Sequence, residues 1–304
     1  MVDITAKSNT LRQAIATAII KVSKKETIEA IKNNTVPKGN VLEISKAAGL
    51  LGVKQTANLI PDCHPLPIEY THISYEIKGL EITITMEVKT IYKTGVEVEA
   101  MHGVSIVALT MYDMLKPIDK GIEIQNIKLL EKKGAKSDYK YQINKKALKA
   151  VVIVCSDTIS AGKKEDRAGK AIINKLKESE IEILKYEIIP DEKEIIQSKV
   201  ETYSEAKADL LIFTGGTGLS PRDVTPESIS PLLDREIPGI AEAARNYGQE
   251  RTPYSMLSRS LAGVRGETLI LSLPGSTKGA QESMDALFPQ LLHIFNILKG
   301  KQHQ

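Results

Sequence analysis

Three short stretches constrain this chain most: the continuous apolar run 150–155 (Ala-Val-Val-Ile-Val-Cys) and the largely apolar strands 209–213 and 268–273. The continuous run has no polar face to offer water, so it reads as a strand buried on both sides. Between them lie a helical pattern at Ala168, Ala171, Ile172 and Leu176, a strand over 183–189, a helix from Glu192, and a last helix predicted over 277–298. Strands alternating with helices predict a parallel sheet covered on both faces, a three-layer α/β domain.

The first half has a different texture. A helix is predicted over 24–33, followed by the loop Pro37-Lys38-Gly39 and an amphipathic stretch over 44–58. Ile73, Tyr75 and Ile77 then alternate with polar residues, as do Leu80, Ile82, Ile84, Met86 and Val88. Lys78-Gly79 between the two sets marks an antiparallel hairpin. A helix over 96–116 ends at Pro117, and a strand over 122–130 follows. This mixture predicts an α+β domain. The lysine-rich segment 132–149 separates the two textures, so the expected domains are 1–143 and 144–304, a division natural for 304 residues.

The net charge of +3 implies no nucleic acid or other large polyanion as partner. Cys63 and Cys155 form no CxxC pair, which argues against a disulfide framework or structural zinc and suits a reducing cytoplasm. No apolar run approaches the roughly 20 residues of a membrane span, and MVDITAKSNT has no apolar signal core. The expectation is a cytoplasmic protein with no membrane partner.

Chemistry-bearing residues gather where the apolar strands end. The strand over 209–213 runs into Thr214-Gly215-Gly216-Thr217-Gly218. Glycines there let backbone N–H groups approach phosphate oxygens, although a tight strand-to-helix turn is an equally simple reading. Other strand ends carry Ser156-Asp157, Pro190-Asp191-Glu192 and Pro274-Gly275-Ser276, and Ser220-Pro221-Arg222-Asp223 follows the glycines. Ends of parallel strands converge on one edge, where ligands bind. Carboxylates beside a phosphate cradle suit Mg²⁺, although Asp191 could equally cap a helix. In the first half, His64 sits in the stiff segment Pro61-Asp62-Cys63-His64-Pro65. Glu97, Glu99, Asp113 and Lys116 lie on a helix that is otherwise nearly apolar. Charges on a buried helix must be paired or used, whereas on a solvated face they need no explanation.

The segments FTGGTGLSPRDVTPES, IIPDE, DREIPG and LSLPGSTKG resemble molybdopterin adenylyltransferases and their molybdopterin-binding fold. The resemblance implies transfer of AMP from ATP to molybdopterin with release of pyrophosphate. It implies that Asp191 serves the nucleotide and Mg²⁺, and that Asp223 positions molybdopterin or the metal. Ser156, Asp157, Gly215, Gly216, Thr217, Gly218, Arg222, Pro274, Gly275 and Ser276 would contact nucleotide or molybdopterin. Some relatives lack the arginine-aspartate pair; Arg222-Asp223 favours catalysis over a non-catalytic molybdopterin-binding module. Molybdenum insertion, a third reading, usually comes with extra domains.

The segments MVDITAK, IPDCHPL, KTGVEVEA, ALTMYDMLK and LLEKKGAKS resemble cyclic pyranopterin monophosphate synthase. This resemblance implies a ferredoxin-like α+β fold and conversion of a cyclised dihydroguanosine triphosphate to cyclic pyranopterin monophosphate, with loss of pyrophosphate. Asp113 would be the general acid/base, beside a Lys116 of lowered pKa. Lys38, Lys132 and Lys136 would hold the triphosphate, Lys38 close to the chemistry. His64 and Glu99 would meet the purine-derived end, and Asp62, Cys63, Glu97 and Val98 would complete the substrate site. The chain departs from the family where Asn40 replaces a common aspartate and Asp62 a common leucine. Mg²⁺ in the second half is the only cofactor implied; no tightly bound organic cofactor is. The families' hexamers and trimers imply a homo-oligomer. A sulfur-inserting step separates the two reactions, so no direct transfer between the sites is expected.

Overall fold

A computed structural model describes residues 1–134 and 148–298. The chain divides into two compact units, Met1–Lys140 and Tyr141–Gln304. The boundary expected between residues 143 and 144 falls outside the described residues.

The first unit runs β1 (Thr10–Lys21), α1 (Lys25–Lys32), α2 (Val41–Leu59), β2 (Tyr70–Lys78), β3 (Glu81–Tyr92), α3 (Glu97–Leu115) and β4 (Glu123–Lys133). Its strands form one antiparallel sheet in the order β2-β3-β1-β4. The hairpin at Lys78-Gly79 is present, with Gly79 at φ +60°. β1, a central strand, was not expected from the sequence. Its inward residues include Ala14, Ala16 and Ala18, all fully buried, too small to stand out as a hydrophobic pattern. They leave room for α3 and for Ile82, Ile84, Met86 and Val88 of β3 in one core. The two long helices also approach closely through glycine. A Cβ on Gly49 would lie 2.3 Å from Val107 Cγ2, and one on Gly103 would lie 2.4 Å from Val53 Cγ2.

The second unit contains β5 (Lys149–Cys155), α4 (Asp157–Ser160), α5 (Ala168–Glu178), β6 (Glu182–Ile189), α6 (Lys193–Glu205) and β7 (Leu210–Thr214). It continues through α7 (Thr225–Ile229), β8 (Arg235–Glu236), α8 (Pro238–Gln249), β9 (Leu261–Arg265), β10 (Thr268–Leu273), α9 (Thr277–Leu287) and α10 (Ile294–Leu298). The sheet order is β6-β5-β7-β10-β9-β8. The first four strands are parallel, but β9 pairs antiparallel with both β10 and β8, so the expectation of a parallel sheet is corrected to a mixed one. Alternate residues of the central strands feed two cores. Val152, Ile212 and Leu271 pack on one face, and Val151, Leu211, Phe213 and Ile270 on the other, giving three layers. The single helix expected over 277–298 is broken: α9 stops at Leu287, and a 3₁₀ turn, Gln290–His293, precedes α10. Pro289 has no N–H to continue the helical ladder. Among the described residues no helix is long and apolar enough to cross a membrane.

Candidate functional sites

The site of the second unit is built at the carboxyl ends of its parallel strands. β7 delivers Gly215 and Gly216, both buried and at φ +106° and +61°, a backbone region side chains rarely adopt. Gly215 donates its N–H to Leu273 O, and a Cβ on it would lie 2.1 Å from Cys155 O. A Cβ on Gly275 would lie 2.9 Å from Gly215 Cα, so the loops after β7 and β10 abut. Thr214 Oγ1 donates to Pro274 O at 2.8 Å, tying the same two loops.

Behind Gly216 stand two buried oxygens, Asp191 Oδ1 and Thr225 Oγ1, without a hydrogen-bond partner among the described residues. A Cβ on Gly216 would meet them at 2.6 and 2.3 Å. Burial, then the charges of Asp157 and Asp223, push the Asp191 carboxyl up to about 6. The cap of α6 is Glu192, and Asp191 does not cap that helix. Asp157 has the opposite environment: Arg222 grips it through Nε and Nη2 at 2.8–3.0 Å, and it accepts the Asp191 N–H at 3.0 Å. Arg222 therefore holds the Asp157 carboxyl below its usual range. Ser156 accepts from Ile159 N–H and so caps α4. Asp223 Oδ2 accepts the Ser220 N–H at 2.8 Å, and a Cβ on Gly218 would lie 2.9 Å from it.

Arg259, not anticipated from sequence, stitches this loop together. Its Nε donates to Gly218 O at 2.7 Å, its Nη2 to Asp223 O at 2.6 Å, and its backbone N–H to Thr217 O. It lies just before β9, a strand without a clear sequence signal, which hid it.

The residues of the second unit fit a divalent cation that completes its shell with ligand oxygens. Among the described residues no cluster of three or more His, Cys, Asp or Glu is poised to hold a metal by itself. Yet the unpartnered Asp191 oxygen beside a glycine cradle is the kind of group a cation satisfies, and Mg²⁺ commonly uses one or two carboxylates plus substrate phosphates.

In the first unit the expected residues fall into two clusters. At the C-terminal end of α3, Asp113 bonds Lys38 Nζ at 2.6 Å and Lys116 Nζ at 2.7 Å; Lys38 also donates to Asp113 O at 2.9 Å. The loop carrying Lys38 is set by Gly39 at φ +96° and by Asn40, which caps α2 through the Glu43 N–H as an aspartate would. Lys116 and then Lys38 hold the Asp113 carboxyl down to about 2. Lys116 is shifted upward by Asp113, against the expected lowering. It is half exposed, and its direct pairing with the Asp113 anion sets the direction. Asp113 itself is 52% exposed, so the argument from helix burial does not apply to it.

It does apply to Glu99, at the other end of α3. Glu99 is 2% exposed, its Oε2 has no partner among the described residues, and the Cys63 thiol donates to its Oε1 at 3.2 Å. Burial raises both groups, the thiol to about 11. Glu97 pairs with Lys132 at 3.2 Å. Both line a small basic cavity with Lys7, Arg12, Lys93 and Lys133, none of which was singled out as a site residue from the sequence. Lys7 and Arg12 flank the start of β1, and recognising that strand would have found them. Arg12 is anchored by donating to Tyr92 O and Lys93 O. His64 donates from Nε2 to Val2 O at 2.8 Å, while Asp62 is exposed and pairs with the terminal amine. Val98 is exposed, and Lys136 lies outside the described residues.

Comparison with known proteins places both units. Residues 1–135 match the MoaC family, and residues 151–293 match the family described as probable molybdopterin binding domain. The molybdenum cofactor biosynthesis bifunctional protein of Chlorobaculum tepidum is 39% identical over 303 residues, covering 100% of this chain and 96% of the relative. Its counterpart from Synechococcus elongatus is 37% identical over 316 residues, covering 100% of this chain and 98% of the relative. A cyclic pyranopterin monophosphate synthase of Clostridium perfringens is 50% identical over 139 residues, 45% of this chain and 87% of the relative. The chain thus joins a MoaC domain to a molybdopterin-binding domain in one two-domain protein. It belongs to the family of bifunctional molybdenum cofactor biosynthesis proteins.

Proposed function

We propose that this chain catalyses two steps of molybdenum cofactor biosynthesis. The first unit, ferredoxin-like in its strand order, converts the cyclised dihydroguanosine triphosphate to cyclic pyranopterin monophosphate and releases pyrophosphate. The second transfers AMP from ATP to molybdopterin. There the terminal phosphate oxygen of molybdopterin attacks the α-phosphorus of ATP. A new P–O bond forms, the α–β bridging bond breaks, and pyrophosphate leaves.

The observation that carries the second activity is the buried, unpartnered carboxylate oxygen of Asp191 beside Gly216. Asp191 and Asp223 would hold Mg²⁺, which when bound supplies positive charge to the phosphates. The glycine backbone aligns them, and Arg222 stands ready on Asp157 at the surface. Aligning reactants and neutralising charge are the main demands of nucleotidyl transfer.

In the first unit, two ammonium groups grip one carboxylate at Asp113. Lys116 keeps a proton to give, and the ionised Asp113 can take one. The basic cavity around Lys132 is suited to the triphosphate. Glu99 and Asp113 are fourteen residues apart on one helix, about 21 Å at 1.5 Å per residue. One copy therefore cannot bring both clusters to one substrate. A second copy supplies the missing end, which supports a trimer or hexamer.

The test is an assay of each reaction on the purified full chain, with Asp113→Ala and Asp223→Ala as partners. Each variant should lose one activity and keep the other. A wild-type chain that forms no adenylylated molybdopterin from ATP would leave the second unit as a binding module.

A further inference from the structure

Beside the loop Pro274–Ser276 the second unit has a cavity of about 260 Å³ between α8 and α9, lined among others by Gly248, Ser255, Ser258, Ser276 and Glu282. Its polar groups are unevenly satisfied. Ser255 Oγ donates to Arg245 O, Ser283 Oγ to Gly279 O, Ser258 shares a bond with Ser260, and Ser276 Oγ accepts from Gly279 N–H. Glu282 is different. Its side chain is 13% exposed, yet no hydrogen bond to it occurs among the described residues, and its ion pair is a 3.8 Å contact with the largely exposed Lys278. Its oxygens stay open to the cavity and are not hydrogen-bonded by the described residues, so their acceptor capacity is free for a ligand that displaces water with matching donors.

We infer that Glu282 recognises the 2-aminopyrimidin-4-one edge of the pterin and so fixes which end of molybdopterin enters this cavity. The inference rests on the reading of this unit as one that binds molybdopterin. A carboxylate is an acceptor with two oxygens and matches two parallel donors. The pterin edge offers such a pair, its ring N3–H and its 2-amino group. Adenine offers one amino donor beside a ring-nitrogen acceptor, so a carboxylate gains one bond there and meets one repulsion. Glu282 thereby selects against the adenine of ATP in this cavity. The neighbouring loops after β7 and β10, which abut at Gly215 and Gly275, remain for the phosphates.

The test uses the full chain and needs no turnover. Molybdopterin released anaerobically from a molybdoenzyme is titrated into wild type, Glu282→Gln and Glu282→Asp, and ATP into the same three. Glutamine keeps the shape but turns an amide N–H₂ toward one of the pterin donors. Molybdopterin affinity should fall about 10- to 100-fold in Glu282→Gln and partly recover in Glu282→Asp, with ATP affinity unchanged. A measurement on wild type alone guards against a misfolded variant: 6-hydroxymethylpterin should bind about 10-fold or more better than 6-hydroxymethyllumazine, which has a carbonyl where the pterin has its amino group. Equal binding of the two pteridines, or wild-type molybdopterin affinity in Glu282→Gln, overturns the assignment. A wild-type chain that binds no molybdopterin overturns both it and the reading beneath it.

Discussion

The two units solve the handling of anionic substrates in opposite ways. Around Asp113 the first unit uses long, half-exposed side chains that neutralise one another, and the carboxylate is held down to about 2. Around Asp191 the second uses buried backbone and a carboxylate left without a partner, pushed up to about 6. The first arrangement is relaxed in isolation and must exchange its internal ion pairs for substrate. The second stores unsatisfied polarity that a ligand relieves. Surface ion pairs contribute little to stability, whereas a buried unpaired carboxylate opposes folding, so the two sites should respond differently to the same kind of substitution.

The largest effects should be on turnover, and each should stay in its own unit. Asp113→Ala removes the only carboxylate between two ammoniums and should slow pyranopterin formation by about 10²–10⁴. Thermal stability should barely change, since the ion pairs are exposed. A variant with a near-normal rate on the cyclised GTP derivative would remove Asp113 from the chemistry. Asp191→Asn should slow AMP transfer by about 10²–10³, with the first activity intact. Loss of both activities from either change would mean that the units depend on each other.

Glycine substitutions sharpen the contrast at the level of folding. Gly215→Ala places a Cβ against the Cys155 carbonyl in a backbone conformation alanine resists, and should destabilise the second unit by about 3 kcal/mol or more. Gly49→Ala meets a side chain, Val107, that can shift, and about 1–3 kcal/mol is expected in the first unit. Denaturant titration of both variants checks the order; a milder effect at Gly215 would mean the loop is not held as described.

The same contrast explains what could be read from the sequence. The glycine loop and its aspartates were legible because backbone geometry demands particular residues at particular spacings. Continuous apolar runs likewise announced the central strands of the second unit. β1 was missed because its core face is alanine, α8 because its helically spaced buried face, Ala241, Ala244, Tyr247 and Gly248, is mostly small residues, and β9 because it is short. With β1 went Lys7 and Arg12, and with β9 went Arg259. Lys116 could be named from its motif, but the direction of its proton affinity could not. That direction depends on the exposure of Lys116 and on its ion pair with Asp113, whose geometry only the folded chain specifies.

The smallest effect is the most specific to the buried carboxylate. Asp191 titrates near 6 in the folded chain against an ordinary 3.8, so folding favours its protonated form. Stability from this group is fully present below about pH 4 and is lost as pH rises through 6. Asparagine is neutral throughout. Asp191→Asn should therefore match wild type near pH 4 and exceed it at pH 8. A rise from 3.8 to about 6 corresponds to about 3 kcal/mol, and partial solvent screening reduces this to about 1–2 kcal/mol, or a few degrees in Tm. The variant expected to lose AMP transfer is thus expected to be the more stable at the pH where the enzyme works. Mg²⁺ with ATP should narrow the gap at pH 8 by stabilising wild type alone, since only a carboxylate there gains from a nearby cation. Melting curves at pH 4 and pH 8, with and without Mg²⁺ and ATP, decide the matter. Equal stability of the two proteins at pH 8 would show that Asp191 is satisfied in the folded chain, and the contrast with Asp113 would disappear.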